Sequence, residues 1–288
     1  MEILRADKMG FCFGVKKAVE TCYEISESRE YRKYILGMVV HNKDVVKRMK
    51  EIGFLTIHEE ELLEGKDNLK KGDIVIIRAH GTTKEIYEIL RKKGVIIEDA
   101  TCIFVTKIRE ILLEREEEKD EIIFIGDKDH PEVKGIISFG KNIHIFKTIE
   151  ELKKADFNKE KKYSVLTQTT LNKEKFLEIK EYLQKHYSNA KIFDRICGAT
   201  SERQEATKSL SKIVDIVIVI GDIKSSNSKK LLEVALKNNQ NSYLIQNDKE
   251  LNLSIFKPDM KVGITAGAST PEEVIKKIEN KIRGKFNV

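Results

Sequence analysis

Short apolar runs rich in Ile and Val alternate along the whole chain with stretches whose apolar residues recur at helical spacing. That alternation predicts α/β units with parallel strands rather than a sandwich or a helical bundle. Three sets of strand-like runs repeat in the same order. The first strand of each unit is read at residues 35–42 (ILGMVVHN), 122–130 (IIFIGDKDH) and 216–227 (IVIVIGDIKSSN). A later strand is read at 74–83 (IVIIRAHGTT), 163–172 (YSVLTQTTLN) and 261–271 (KVGITAGASTP), and a last one at 95–102 (VIIEDATC), 191–197 (KIFDRIC) and 3–12 (ILRADKMGFC). His41 and His130 stand 89 residues apart, as do His80 and Thr169, so one register serves both pairs. A self-similar period of this length marks a repeat architecture. The predicted units are 13–98, 99–194, and 195–288 completed by the N-terminal strand 1–12. The expected fold is three similar α/β units with small parallel sheets in a pseudo-threefold arrangement. The strand ends of parallel sheets face a shared crevice, so this arrangement would bring the three terminal cysteines to one point.

Each of those cysteines precedes a helical pattern: GVKKAVETCYEI after Cys12, IFVTKIREILLE after Cys102 and GATSERQEATKSL after Cys197. Unpaired N–H groups and the positive end of a helix dipole stabilise a thiolate there, and thiolates are what metals bind. Cys22 differs. With Val15, Ala18, Val19 and Ile25 it falls on one face of a helix predicted over 14–27, where it reads as core. Three thiolates with no fourth protein ligand suit a 4Fe-4S cluster with one open iron better than structural zinc, which closes its shell with four ligands. Taken singly, each cysteine would also suit a dispersed structural role.

Composition narrows the classes. With 288 residues, 40% of them hydrophobic, the chain can bury a substantial core, and its 53 Lys and Arg against 47 Asp and Glu leave a spread surplus of +6. It contains no Trp, and aromatics make up 7% of the residues, so a basic stripe interleaved with stacking aromatics is not found and nucleic acid is not an expected partner. Glu2, Arg5, Asp7 and Lys8 rule out a signal-peptide core at the N-terminus, and no run of about eighteen apolar residues suggests a membrane span. A cytoplasmic location is expected, where four cysteines do not make a disulfide framework.

A polar lining gathers at the same strand ends: His41, His80, His130, Thr167, Thr169, Thr170, Ser225, Ser226, Asn227, Ser269 and Thr270, with Glu132 the one acid among them. Helices are predicted to follow at 228–237 and from Pro271, so the Ser225–Asn227 and Ser269–Thr270 turns can act as N-caps or as anion sites. Two such turns plus imidazoles point to a polyanion such as a diphosphate, bound without a Walker loop. His58, His144 and His186 read as surface residues. Gly126 and Gly221, after long apolar strands, serve either a tight turn or a close ligand approach.

Taken together, GFCFGV at Cys12, VVHN at His41, AHG at His80, DATC at Cys102, HPEV at His130, TQTTL at Thr169, SSN at Ser225 and GITAGASTPE at Ser269 closely resemble the 4-hydroxy-3-methylbut-2-enyl diphosphate reductases, the last enzymes of the non-mevalonate isoprenoid route. The resemblance covers nearly the whole chain. It implies a trefoil of the three α/β units around a central cluster, one 4Fe-4S cluster on Cys12, Cys102 and Cys197, and an allylic alcohol diphosphate whose hydroxyl meets the open iron. It further implies that His41, His80, His130, Ser225, Ser226, Asn227 and Ser269 hold the diphosphate, while Glu132 and Thr169, with His130 nearby, serve the hydroxyl end. A small acidic redox protein such as ferredoxin or flavodoxin is the expected electron donor for a mildly basic chain. Ile103, Arg109, Asp127 and Gly198 depart from the family pattern, which usually has proline, histidine, histidine and a larger residue there. None of the four is an implied ligand, and their bearing is on the cluster's surroundings. Two other readings remain at this stage: a quinolinate-synthase-like cluster dehydratase, which needs no net electrons, and a non-catalytic cluster sensor.

Overall fold

The structure, a computed structural model, describes residues 1–27, 30–40, 42–158 and 160–286. Its strands, in chain order, are β1 (Glu2–Arg5), β2 (Lys33–Leu36), β3 (Phe54–Ile57), β4 (Ile74–Ile77), β5 (Ile96–Asp99), β6 (Glu121–Ile125), β7 (Ile143–Phe146), β8 (Tyr163–Thr167), β9 (Ala190–Ile192), β10 (Ile216–Ile220), β11 (Ser242–Ile245) and β12 (Lys261–Ala266). They form three four-stranded sheets ordered β3-β2-β4-β5, β7-β6-β8-β9 and β11-β10-β12-β1. Among the described residues every pairing is parallel. The expected repeat is therefore present, and the strand that leads to each cysteine is an edge of its sheet, though it ends short of the cysteine: β1 at Arg5, β5 at Asp99 and β9 at Ile192. Each unit also holds a strand that the apolar pattern had not revealed, β3, β7 or β11, placed beside the first strand on the opposite edge.

The shared order has a consequence for function. In each sheet the chain runs from the first strand outward to its edge neighbour and then crosses back to the third strand. The strand order thus reverses between the first and third strands, and in open parallel sheets ligands bind in the crevice outside such a switch point. The motif-bearing turns leave the sheets at these places.

The chain divides into two compact units, one made of Met1–Lys16, Val40–Arg48 and Gly198–Val288, the other of Lys17–Val39 and Met49–Cys197. In the first, one face of β10 and β12 (Ile216, Ile218, Ile220, Val262, Ile264) packs on Val274, Ile275, Ile278 and Ile282 of the helix Glu272–Phe286. The other face, with Val217 and Val219, packs on Leu210, Leu231 and Ala235 from the helices Gly198–Ser211 and Ser226–Asn238. Covering on both faces explains why β10 reads as a continuous apolar run. The second unit repeats the scheme around β6 and β8. Ile123, Ile125 and Val165 meet Phe176, Ile179 and Leu183 on one side, and Ile122, Phe124 and Leu166 meet Val105, Ile108 and Leu112 on the other. Its second sheet packs Tyr34, Leu36, Val75 and Ile77 against Ile86, Tyr87 and Leu90. Among the described residues no helix is long and apolar enough to cross a membrane.

Candidate functional site

None of the four cysteines forms a disulfide. Cys12, Cys102 and Cys197 are half-buried and immediately precede the helices Phe13–Ser26, Ile103–Glu117 and Gly198–Ser211, as the sequence predicts. Their backbone bonding repeats as well. The amide of Cys12 donates to the carbonyl of Ala268 (3.2 Å), that of Cys102 to Ala79 (2.9 Å) and that of Cys197 to Thr169 (3.0 Å). Each acceptor lies two residues beyond the end of a third strand: β12, β4 or β8. The thiol positions are thus equivalent in main-chain geometry as well as in sequence. Cys22 is fully buried in the helix Phe13–Ser26, and burial pushes its thiol up to about 12, which removes it from thiolate chemistry.

Within the second unit the structure joins three motifs that lie far apart in sequence. Glu132 is 1% exposed at the start of the helix Pro131–Ile137. Its Oε1 accepts from the amide of Thr169 and its Oε2 from the Thr169 hydroxyl, both at 2.7 Å. Burial raises the Glu132 carboxyl above its ordinary range, and the two Thr169 donors only partly oppose that. The carbonyl of Thr169 in turn receives the Cys197 amide, so one residue links the buried acid to a cysteine turn. His130 caps the same helix, its Nδ1 accepting from the Glu132 amide at 3.2 Å, which leaves the proton of the neutral ring on Nε2. The His80 and His130 rings stand edge to face, 5.8 Å apart. At the end of β8, the Thr167 hydroxyl and the Gln168 Nε2 are buried without hydrogen-bond partners among the described residues. Such groups call for a polar ligand or water.

The first unit carries the other polar turns. Ser225 caps the helix Ser226–Asn238, its hydroxyl accepting from the Ser228 amide at 3.4 Å. Asn227 is 6% exposed, and neither its Oδ1 nor its Nδ2 has a partner among the described residues. Ser226 and Ser269 are half-buried. The Thr270 hydroxyl donates to the Ile220 carbonyl at 2.9 Å, tying β12 to β10 across the switch point instead of capping the helix that follows. At Gly126 and Gly221 the protein's own side chains leave no room for a Cβ. A Cβ on Gly126 would lie 3.0 Å from Gln168 Cβ, and one on Gly221 would press into the Ser228 side chain.

Other expectations concern residues that the structure does not bring together within one unit or does not describe. His41 lies outside the described residues. Among the described residues no three His, Cys, Asp or Glu side chains are gathered into a metal-holding group, and Cys12 belongs to one compact unit while Cys102 and Cys197 belong to the other. The chemistry of the donors still fits a cluster: three half-buried thiols, each at a helix start with its amide engaged. His58, His144 and His186 are exposed, as expected. Of the four departures, Ile103 is 59% exposed, Arg109 stacks on Phe139 and Tyr87 (4.8 and 5.7 Å), and Asp127 pairs with Lys147 at 2.7 Å. Gly198 has open space where a Cβ would stand. Sequence reasoning missed Gln168 and Arg203. The only signal for Arg203 was a charged residue on the apolar face of the helix after Cys197.

Three doubly wound parallel sheets, with thiols at equivalent helix starts and a buried carboxyl at one switch point, define a cysteine-bearing α/β protein built to act on a polar ligand. Residues 3–283 match the family described as LytB protein, and the chain belongs to it. It is 54% identical over 288 residues to a 4-hydroxy-3-methylbut-2-enyl diphosphate reductase of Fusobacterium nucleatum, covering all of this chain but 35% of that protein. A reductase of the same name from Caldanaerobacter subterraneus subsp. tengcongensis is 42% identical over 285 residues, covering 98% of this chain and 97% of that one. The solved Plasmodium falciparum E-1-hydroxy-2-methyl-but-2-enyl-4-diphosphate reductase superposes with a TM-score of 0.91 at 32% identity, over 99% of this chain and 89% of that one.

Proposed function

We propose that the chain is a 4-hydroxy-3-methylbut-2-enyl diphosphate reductase, an oxidoreductase that removes the substrate hydroxyl as water to give isopentenyl and dimethylallyl diphosphate. The observation that carries this reading is the buried Glu132–Thr169 pair, whose backbone continues directly to the Cys197 amide. It sets a proton donor beside a cysteine turn at a switch point.

Cys12, Cys102 and Cys197 would hold a 4Fe-4S cluster, which when bound supplies a Lewis-acidic iron and a route for two electrons. The rest falls to side chains. Hydroxide is a poor leaving group, so the C–O bond breaks as the oxygen takes a proton from Glu132 and departs as water. Two electrons come from an external donor, and a second proton ends on the allylic carbon. Burial raises the Glu132 carboxyl and so favours the protonated form this step needs, while the Thr169 hydroxyl holds it in place. His41, His80, His130, Ser225, Ser226, Asn227 and Ser269 would bind the diphosphate. The orphaned Asn227 amide is the strongest structural support for a ligand among them. We assign the chain to the cytoplasm, with a ferredoxin or flavodoxin as donor, and retain 13–98, 99–194 and 195–288 plus 1–12 as its repeating units.

The test is anaerobic loading with iron and sulfide, followed by assay with 4-hydroxy-3-methylbut-2-enyl diphosphate and a one-electron reductant. Formation of the two isomeric diphosphates with consumption of two electrons per turnover is expected. A loaded protein that consumes no electrons and forms neither product overturns the assignment.

A further inference from the structure

Arg203 is an unusual residue to find 6% exposed in the helix Gly198–Ser211. Its guanidinium points at main-chain oxygens. Nε and Nη2 donate to the Gly10 carbonyl (3.2 and 2.8 Å), Nη2 also to that of Phe11 (3.1 Å), and Nη1 to that of Ala199 (2.8 Å). Gly10 and Phe11 are the two residues before Cys12, and Ala199 is the second after Cys197. The turn they cap is a demanding one. Gly10 is left-handed at φ 73°, and a Cβ there would lie 3.4 Å from both the Thr270 carbonyl and Ile275. Its amide and that of Cys12 already donate to Ala266 and Ala268, which leaves the outward carbonyls to be satisfied by something else. The Phe11 carbonyl belongs to the same peptide as the Cys12 amide. A guanidinium on that oxygen polarises the peptide and strengthens the amide's bond to Ala268.

We propose that Arg203 is the positioning residue for Cys12, holding the Gly10–Phe11 turn so that the thiolate leaves in one direction and fixing a positive charge on the two residues that precede it. This rests on Cys12 being a metal ligand, as proposed above. Lysine is no substitute, because a point-like ammonium lacks the planar fork that spans three carbonyls.

Three forms are compared: wild type, Arg203→Met and Arg203→Lys. In iron-loaded protein, a chelator is expected to extract iron faster from Arg203→Met, by roughly the 10–100-fold that losing an outer partner of a ligand costs in metal affinity. Its midpoint potential is expected to fall, since one positive charge no longer favours the added electron. Arg203→Lys keeps the charge and loses the fork, so its potential is expected to stay near wild type while its iron is extracted faster. In metal-free protein, amide exchange over residues 6–12 is expected to rise several-fold in both variants, with residues 79–102 unchanged. Unchanged exchange over 6–12 together with wild-type iron retention overturns the proposal, and if Arg203→Met does not fold, Arg203→Lys decides by the same two readouts. A wild-type chain that takes up no iron, with exchange over 6–12 still raised in the variants, would refute the cluster reading and leave the positioning role standing. Unchanged exchange in that case would refute both.

Discussion

Thr169→Val isolates the pairing on which the proposed chemistry depends. Valine keeps the shape of threonine, so packing is preserved while the hydroxyl that donates to Glu132 Oε2 at 2.7 Å is lost. The amide of Thr169 still donates to Oε1. With Glu132 1% exposed, water does not replace the missing donor, and a buried acceptor left unmatched costs about 1–3 kcal/mol, toward the upper end when it is charged. The pH dependence has a definite sign. Burial raises the folded carboxyl above its unfolded value, so its contribution to stability is fully present below about pH 4.3 and is lost as pH rises through the folded value. The lost hydroxyl had favoured the ionised form, so its removal shifts the carboxyl further upward. The deficit of Thr169→Val against wild type is therefore smallest in acid, where the carboxyl is neutral; it opens as the wild-type carboxyl ionises and reaches its full size once the variant's carboxyl, raised further, has ionised as well. A unit of this size shifts its midpoint by about 2–4 °C per kcal/mol, so thermal scans of metal-free protein from pH 5 to 9 should open a gap of roughly 2–12 °C. Thr169→Ser, which keeps the hydroxyl, should show much less. A gap independent of pH, or one equally large for serine, would refute the reasoning.

Three further outcomes are expected. Cys12→Ala, Cys102→Ala and Cys197→Ala should each lower the iron bound after anaerobic loading, whereas Cys22→Ala should leave it unchanged; iron and sulfide analysis reads both. Gly221→Ala would set a Cβ 2.8 Å from Ser228 Cβ and inside contact distance of its hydroxyl, so it should cost about 1–3 kcal/mol in urea unfolding by overpacking. Asp73 is pushed up by burial but held below the usual carboxylate range by Arg32 (3.0 Å to Oδ1) and the Lys70 amide (2.7 Å). Its contribution is present above the unfolded value and lost as pH falls through the lower folded one, so Asp73→Asn should destabilise at pH 7 and approach wild type in strong acid.

The sequence by itself determined whatever depends on neighbours along the chain. A continuous Ile and Val run predicted β10 because both faces of that strand are covered. The three cysteines could be placed at helix starts, and Cys22 in a core, because helical periodicity repeats within a few residues. The repeat of about ninety residues carried the number of units. Only the tertiary structure supplied what depends on which surfaces meet. The strands β3, β7 and β11 are four residues long and partly exposed, so their apolar signal is weak, and it is their placement on the outer edge that creates the switch points. Glu132 and Thr169 lie 37 residues apart, and no spacing rule states that one carboxylate will take both donors of the other residue. Arg203 and Gly10 are 193 residues apart, and a charged residue within a helical pattern reads as solvated until a turn from the N-terminus closes over it. Periodicity is set by backbone geometry and is local; the choice of hydrogen-bond partner is set by packing, which no single segment encodes.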